Sequence, residues 1–329
     1  MKRLVLWVIP VMMILSCQKK QEYYLSQGEI FHTSYHIKYE YKEPLGKQIQ
    51  VVLDSFDLSL NPFNEKSVIS KVNNNQPIEV DDFFVTVFNK AQEVSEVSGG
   101  AFDITCAPLV NLWGFGFDKT DSVTPEIIDS IKSFVGYRKV HLVGRKIVKD
   151  DPQIILNASA IAKGYSCDVV AELLESYGIK NYMIEIGGEV CAKGKNPNGV
   201  CWKIEITRPD DDRSGLKKDR FVVLGLCDRA LATSGNYRNF YIKNGKKYAH
   251  TIDPFSGYPA ENEMLSATVI APDCMTADAY ATAFMTLGLE KACAIGDNIP
   301  ELVYYFIFSD EEGNLGVKYS SNMEKYIMQ

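Results

Sequence analysis

Strand and helix patterns follow one another along this 329-residue chain without the regular alternation that a doubly wound parallel sheet requires. Alternating aromatic and β-branched residues predict a strand over residues 30–41. The longest helical pattern covers residues 160–177, and a strand pattern over residues 181–190 follows soon after it. This order predicts an α+β fold without internal repeats.

Two other helices have recognisable ends. Apolar residues recur at helical spacing over residues 82–98, where Asp81 or Asp82 can cap the start and Gly99-Gly100 ends the pattern. Thr124 and Pro125 are typical of an N-cap and a first helical residue. Further predicted segments are a helix over residues 278–287 and strands over residues 139–143, 146–149, 200–207, 221–226, 302–308 and 315–319.

The N-terminal residues have the order of a secretory signal. Lys2 and Arg3 precede an apolar run over residues 4–15, which is too short to span a membrane comfortably. The run ends at Ile14-Leu15-Ser16-Cys17, which resembles a lipobox, the motif at which the signal is removed and the cysteine receives lipid. A buried N-terminal helix is the alternative, but the polar residues 18–22 that follow are typical of a tether.

This motif divides the chain. We expect a signal peptide over residues 1–16, a lipidated tether over residues 17–29 and one folded domain over residues 30–329. No second apolar run approaches membrane-spanning length, so lipid on Cys17 would be the only anchor. The mature protein would then be exported and held at the periplasmic side of the cell membrane.

Charge and cysteine usage exclude several classes of function. The formal net charge of −7 argues against nucleic acid as a partner, because phosphate binding needs a basic surface. A hydrophobic content of 46% is enough to bury a sizeable core. The cysteines after Cys17 are scattered and include no C-x-x-C pair, so they indicate neither a zinc site nor a disulfide framework. We expect mostly small buried thiols, with room for one bridge.

The common catalytic motifs are missing from the sequence. No G-x-G-x-x-G follows a strand pattern, and neither a P-loop, nor H-E-x-x-H, nor G-x-S-x-G occurs. The sequence has only four histidines, too few to build a multi-histidine metal site easily. His32 and His36 would share one strand face, where histidines are more often packing or surface residues.

A series of short glycine-rich or small-residue clusters remains. Each of them alone is typical of a turn, a bulge or close helix packing. In chain order they read G-G-A-F-D, W-G-F-G, A-x-x-K-G-Y, G-G-E, T-S-G-N-Y-R, H-x-I-D-P-x-x-G and A-D-A-x-A-T. Together and in this order, over about residues 30 to 295, they resemble the ApbE-type FAD:protein FMN transferases.

The resemblance implies a fold and an activity. The implied fold is the family's own α+β fold, in which an N-terminal lipobox is common. The implied activity is Mg²⁺-dependent transfer of FMN from FAD to a threonine hydroxyl of an exported or membrane redox protein, with release of AMP. The acceptor would be a membrane electron-transfer subunit.

The resemblance also implies a metal site. It makes Asp278 and Thr282 ligands of the metal, together with the backbone carbonyl of Ala162. Residues four apart lie on one face of a helix, so a carboxylate and a hydroxyl would point to one place. Three hard oxygen ligands, with room for water and phosphate, suit Mg²⁺ better than zinc or copper.

Flavin-binding residues follow from the same motifs. The implied FAD contacts are Phe63, Ala101, Phe102, Asp103, Ser159, Tyr165 and Ile252. Where the family often has Met-Gly-Thr, this chain has Phe31-His32-Thr33, and Phe31 could cover a flavin ring in place of the methionine. His250 is the candidate for the general base or for positioning the attacking hydroxyl, because an imidazole with a pKa of about 6.5 suits that task. The alternative is a polar residue that holds the turn before Asp253-Pro254.

Two other functions are compatible with these residues. A Mg²⁺-dependent FAD pyrophosphatase would use nearly the same site, with water in place of threonine and free FMN and AMP as products. A lipoprotein that binds FAD without chemistry is the second alternative. The Asp278 and Thr282 pair argues against it, because storing a flavin does not require a metal at the pyrophosphate.

Overall fold

The structure, a computed structural model, describes residues 22–115, 123–207, 220–236, 240–243, 246–249, 251–310 and 312–328. Cys17 and His250 therefore lie outside the described residues. The strands are β1 (Glu22–Ile30), β2 (Thr33–Tyr41), β3 (Val140–Val143), β4 (Lys146–Lys149), β5 (Tyr182–Ile186), β6 (Glu189–Lys193), β7 (Trp202–Thr207), β8 (Arg220–Leu226), β9 (Arg229–Gly235), β10 (Phe240–Lys243), β11 (Lys246–Ala249), β12 (Met264–Ala271), β13 (Val303–Ser309) and β14 (Leu315–Tyr319).

Eight of these strands form one sheet in the order β1-β2-β5-β6-β9-β12-β13-β14, and each neighbouring pair is antiparallel. The helices are α1 (Gly46–Leu60), α2 (Val68–Asn73), α3 (Asp82–Val97), α4 (Ala107–Leu112), α5 (Pro125–Lys132), α6 (Ala162–Ser176), α7 (Cys274–Leu287) and α8 (Leu289–Asp297). An antiparallel sheet with helices that do not alternate with its strands confirms the α+β prediction.

The sheet buries both of its faces. Helices α6 and α7 pack on one face against β5, β6, β9 and β12. On the other face, Trp202 and Leu224 of the β7–β8 hairpin pack against Val190, Ile270 and Val303 of the sheet. Successive side chains of a strand point to opposite faces, so each central strand contributes to both cores.

Local signals place the helix starts where the sequence predicts them. The side chain of Asp81 accepts a hydrogen bond from the Phe84 amide at the start of α3. Thr124 caps α5 in the same way through the Ile127 amide. Each cap satisfies one of the amides that a helix leaves unpaired at its first turn.

Two strand predictions and the tether prediction are wrong in their bounds. Residues 30–41 are not one strand, because Phe31 and His32 form a turn with positive φ values of 52° and 58° between β1 and β2. Strand β1 begins at Glu22, so residues 22–29 belong to the sheet and not to a tether. The segment 181–190 is likewise a hairpin, β5–β6, which turns at Gly187-Gly188.

Three of the seven described cysteines are buried thiols of the expected kind, two are partly exposed thiols and two form a disulfide. Cys201 and Cys227 are bonded and flank the ends of β7 and β8. Cys106, Cys167 and Cys274 are free and buried. Within the described ranges, no helix combines the length and the apolarity needed to cross a bilayer.

Candidate active site

The crossing of α6 over α7 brings the predicted metal ligands together. A Cβ at Gly164 would lie 2.3 Å from the Cys274 carbonyl oxygen and 2.7 Å from the Asp278 Cβ, so only glycine allows this approach. The Gly164 amide donates a hydrogen bond of 2.9 Å to Asp278 Oδ2. Helix α6 begins at Ala162, and its first turn therefore lies against Asp278.

Thr282 lies one turn further along α7. Its Oγ1 is 3.2 Å from Ser234 Oγ on β9, which fixes the hydroxyl on the side of the helix that faces the sheet. The exposed fraction of Asp278 is only 2%, and its Oδ1 has no hydrogen-bond partner among the described residues. A buried carboxylate that accepts only one protein hydrogen bond is a ligand available to a cation.

The donor set fits a hard cation. In the described part of the chain, no group of three His, Cys, Asp or Glu side chains is placed to hold a metal. A metal here would therefore depend on one carboxylate, a hydroxyl, a backbone carbonyl, water and phosphate. Mg²⁺ is commonly bound in this way, through one or two carboxylates plus substrate phosphates. Asp278, Thr282 and the Ala162 carbonyl could hold it.

Lys163 and Glu189 form an ion pair beside these residues. Lys163 Nζ donates a hydrogen bond to Glu189 Oε1. Burial alone would lower the pKa of Lys163, but the carboxylates of Asp278 and Glu189 outweigh it and raise that pKa. Burial raises the pKa of Glu189 to about 7, although Lys163 opposes the shift. The predicted metal ligands therefore have the positively charged Lys163 beside them.

An aromatic cluster lies next to this site. The rings of Phe31 and Phe56 are 5.6 Å apart, and the rings of Phe56 and Tyr165 are 5.5 Å apart. At the β1–β2 turn, the His32 ring meets the Phe63 ring edge-on at 5.5 Å. Three of the predicted flavin contacts, Phe31, Phe63 and Tyr165, are thus gathered around this turn and the start of α6.

The G-G-A-F-D segment lies on the same side of the molecule. Ala101 and Phe102 are buried, and Phe102 joins the core cluster that also holds Ala162 and Tyr165. The Asn157 amide donates to the Ile104 carbonyl, which ties this segment to the strand-to-helix loop that carries Ser159. Ser159 is exposed.

Asp103 has a clear structural role. Its Oδ1 accepts hydrogen bonds from the amide and the hydroxyl of Thr105, both at 2.7 Å. Its Oδ2 accepts a bond from the Tyr137 amide. Burial raises the pKa of this carboxyl. Both oxygens already have protein donors, so the contact of Asp103 with FAD stays a prediction.

The H-x-I-D-P-x-x-G loop closes the other side of the site. The Asp253 amide donates to the Tyr258 carbonyl, and the Trp113 indole donates to the Gly257 carbonyl, which pins the loop to α4. Ile252 is buried. A Cβ on Gly100 would lie 2.9 Å from Phe255, so the loop and the G-G-A-F-D segment are in contact.

His250 lies outside the described residues, but the next residue, Thr251, is described. Thr251 Oγ1 donates to Asn236 Oδ1, two residues after Ser234, whose hydroxyl contacts Thr282. Thr251 is therefore held near the part of the site that contains Asp278 and Thr282, which we call the metal end. The catalytic role of His250 stays a prediction.

Comparison with known proteins decides the family, since a model described as the ApbE family matches residues 31–306. The chain belongs to the ApbE family. It is 37% identical to a FAD:protein FMN transferase of Haemophilus influenzae, over 94% of each chain. It is 34% identical to one of Vibrio cholerae, over 90% of this chain and 92% of that one.

Solved structures of ApbE proteins agree with the fold. The flavin transferase ApbE from Vibrio cholerae superposes with a TM-score of 0.83 at 33% identity, and covers 93% of this chain and 99% of its own. The apo flavinyl transferase ApbE of Pseudomonas stutzeri gives 0.82 at 28% identity, over 93% and 97%.

Three residues of this ApbE site are not predicted from the sequence. Lys163 and Glu189 stand inside the A-x-x-K-G-Y and G-G-E motifs, and Ser234 stands inside T-S-G-N-Y-R. Lys163 and Glu189 are 26 residues apart, and Ser234 and Thr282 are 48 apart, so only the tertiary structure pairs them. A polar residue beside a glycine in a motif was the signal that could have marked them.

Proposed function

We propose that this chain is an enzyme that transfers FMN from FAD to an acceptor protein. Its ApbE relatives in Haemophilus influenzae and Vibrio cholerae carry the name FAD:protein FMN transferase. The observation that carries the proposal is the α6–α7 crossing, where the buried carboxylate of Asp278 lies against the first turn of α6. A site for FAD alone would not need such a group.

Mg²⁺ is the proposed cofactor. Asp278, Thr282 and the Ala162 carbonyl would hold it, because these are hard oxygen donors on neighbouring turns of two packed helices. When bound, the ion would neutralise the charge that builds up on the phosphate oxygens during phosphoryl transfer. The chain's own residues would hold the pyrophosphate at the α6–α7 crossing, where Asp278 is buried.

The proposed flavin site is the aromatic cluster with its neighbours. Phe31, Phe63 and Tyr165 offer ring faces and edges of the kind on which a flavin ring can pack. Ala101 and Ser159 have small side chains, which would let the cofactor approach the backbone closely. These remaining proposed contacts are Ala101, Phe102, Asp103, Ser159 and Ile252.

The proposed acceptor group is a threonine hydroxyl. Its oxygen would attack the FMN-side phosphorus of FAD, and a new phosphoester bond would form. The bond from that phosphorus to the bridging oxygen would break, and AMP would leave with the electron pair. His250 would accept the hydroxyl proton, since a neutral imidazole is a suitable base near pH 7.

The proposed location is the periplasmic side of the cell membrane. Residues 1–16 would be removed as a signal peptide, and lipid on Cys17 would hold the enzyme near membrane electron-transfer proteins. The Cys201–Cys227 disulfide supports export, because disulfides persist in oxidising compartments. Confinement to one surface raises the effective concentration of such an acceptor.

Mass spectrometry of an acceptor tests the proposal. The purified enzyme is incubated with FAD, MgCl₂ and the exported domain of a membrane electron-transfer subunit, and AMP is measured in parallel. We expect the acceptor to gain the mass of FMN, and we expect no gain with FMN in place of FAD or with the acceptor threonine changed to valine. Equal release of AMP and free FMN with and without acceptor, and no mass gain, would establish the pyrophosphatase instead.

A further inference from the structure

Glu189 is a buried carboxylate with only half of its hydrogen-bonding capacity used. It is the first residue of β6, and its Oε1 accepts the hydrogen bond from Lys163. Its Oε2 is buried and has no partner among the described residues. Burying a charged carboxylate is unfavourable unless the charge is compensated, so Lys163 is the reason that Glu189 can be ionised here.

The backbone makes room for this pair. Gly187 has a φ of +67°, and a Cβ there would lie 3.1 Å from Lys163 Cδ and 3.3 Å from Glu189 Oε2. The same Cβ would lie 3.0 Å from Thr33 Cγ2. The turn between β5 and β6 therefore closes over the ion pair, and its glycine leaves the space that the two side chains occupy.

The pair lies beside the proposed metal ligands. Lys163 directly follows Ala162, and Gly164 donates to Asp278. The charged groups that act on Lys163 are Glu189 on β6 and Asp278 on α7. Without Glu189, Asp278 would be the remaining carboxylate that acts on this ammonium, at the place proposed for the cation.

We propose that Glu189 is a positioning residue of the metal site, which pairs with Lys163 and so prevents the ammonium from opposing a divalent cation at Asp278. The inference rests on the proposed Mg²⁺ site. With Glu189 ionised, the three side chains carry one net negative charge, and Lys163 is paired with Glu189 and not with Asp278. A nearby charge changes an ionic equilibrium by about tenfold to a thousandfold, and salt weakens the effect.

Calorimetric titration of the FAD-free protein with MgCl₂ at low ionic strength tests this role. Glu189→Gln leaves the ammonium uncompensated, so we expect Mg²⁺ to bind about tenfold more weakly or worse. Adding Lys163→Met removes the uncompensated charge, and the double variant should return to within about threefold of the original affinity. Unfolding midpoints in EDTA show which variants are folded.

The rescue separates a charge role from a structural one. If Glu189 only held the first turn of α6 through Lys163, the double variant would lose that support and bind Mg²⁺ as weakly as Glu189→Gln, which would overturn the inference. If Glu189→Gln does not fold, a folded double variant that binds Mg²⁺ weakly would also overturn the inference.

A matched control and a reference condition complete the test. Glu175→Gln removes another carboxylate that pairs with a lysine of β6, Lys193, and it should leave Mg²⁺ binding unchanged. An unaltered protein that does not bind Mg²⁺ even with saturating FAD would disprove the proposed metal site itself. Binding by the unaltered protein without rescue in the double variant would disprove only the role of Glu189.

Discussion

The two ends of the candidate site are built in different ways. The metal end is formed by two buried helices that cross at Gly164, where a single added carbon would collide with backbone. The flavin end is formed by turns and loops, including the Phe31–His32 turn and the loop around Ile252. Buried packed elements transmit small changes of volume, whereas surface turns adjust to them. We therefore expect substitutions at the metal end to have larger effects.

Gly164→Ala should have the largest effect. The new Cβ would meet the Cys274 carbonyl and the Asp278 side chain, and neither has room to move because both are buried in α7. We expect the free energy of unfolding to fall by about 3 kcal/mol and metal binding to be lost. Urea unfolding and Mg²⁺ titration measure the two losses.

Gly46→Ala is the matched control for that substitution. Gly46 is also helical, but the nearest atom to its added Cβ is Ser26 Oγ at 3.4 Å, an ordinary contact. Alanine there should be neutral or slightly stabilising, because it reduces the freedom of the unfolded chain. Equal stability losses at both positions would contradict the tight crossing.

Asp278→Ala should have the next largest effect, mainly on activity, with a smaller loss of stability because the Gly164 amide loses its acceptor. The metal would lose its only carboxylate ligand, and we expect FMN transfer to slow by about a hundredfold or more. Thr282→Ala should slow it by only about tenfold, because water can replace a neutral hydroxyl ligand. Rates of AMP release at saturating FAD, with and without EDTA, compare the two. Undiminished activity of Asp278→Ala in EDTA would disprove the metal site.

The sequence predicts the metal end of the site better than the flavin end. The spacing of Asp278 and Thr282 places both on one helix face, and the structure has them there. The Gly164–Asp278 contact joins residues 114 apart, and no local pattern predicts it. At the flavin end the sequence predicts one strand through Phe31 and His32, because neither residue is typical of a turn.

Elsewhere in the fold, some helices and strands are predicted from the sequence and others are not. The starts of α3 and α5 are predicted to the residue from their caps, Asp81 and Thr124. Helices α2 and α7 also have side-chain caps, Ser67 and Asp273, but α2 is not predicted and α7 is predicted only from residue 278. Helix α1 is not predicted, and no side chain caps its start. Strand β12 is buried along nearly its whole length, and a short apolar run of this kind does not distinguish a strand from a helix.

Phe63→Ala probes the flavin end with a smaller expected effect. Phe63 is 53% exposed, so its removal costs little stability, but a ring that packs on flavin contributes about 1 kcal/mol to binding. We expect the KM for FAD to rise by about three- to tenfold with kcat nearly unchanged. Leu58→Ala, on α1 and 51% exposed, is the control and should change neither constant. A large fall in kcat would mean that Phe63 acts on the chemistry and not on binding.

His32→Gly should have the smallest effect and the opposite sign. His32 has a φ of +58°, which costs energy for most residues and none for glycine. We expect the free energy of unfolding to rise by about 1 kcal/mol, while the loss of the His32–Phe63 contact weakens FAD binding less than twofold. Asn75→Gly is the control: Asn75 also has a positive φ, of 56°, but asparagine adopts the left-handed conformation more readily than histidine, so the gain should be smaller. An equal gain at both positions would show that the turn stores no particular strain. A loss of stability would show that the His32 ring holds the flavin end together, and the contrast between a rigid metal end and a tolerant flavin end would then fail.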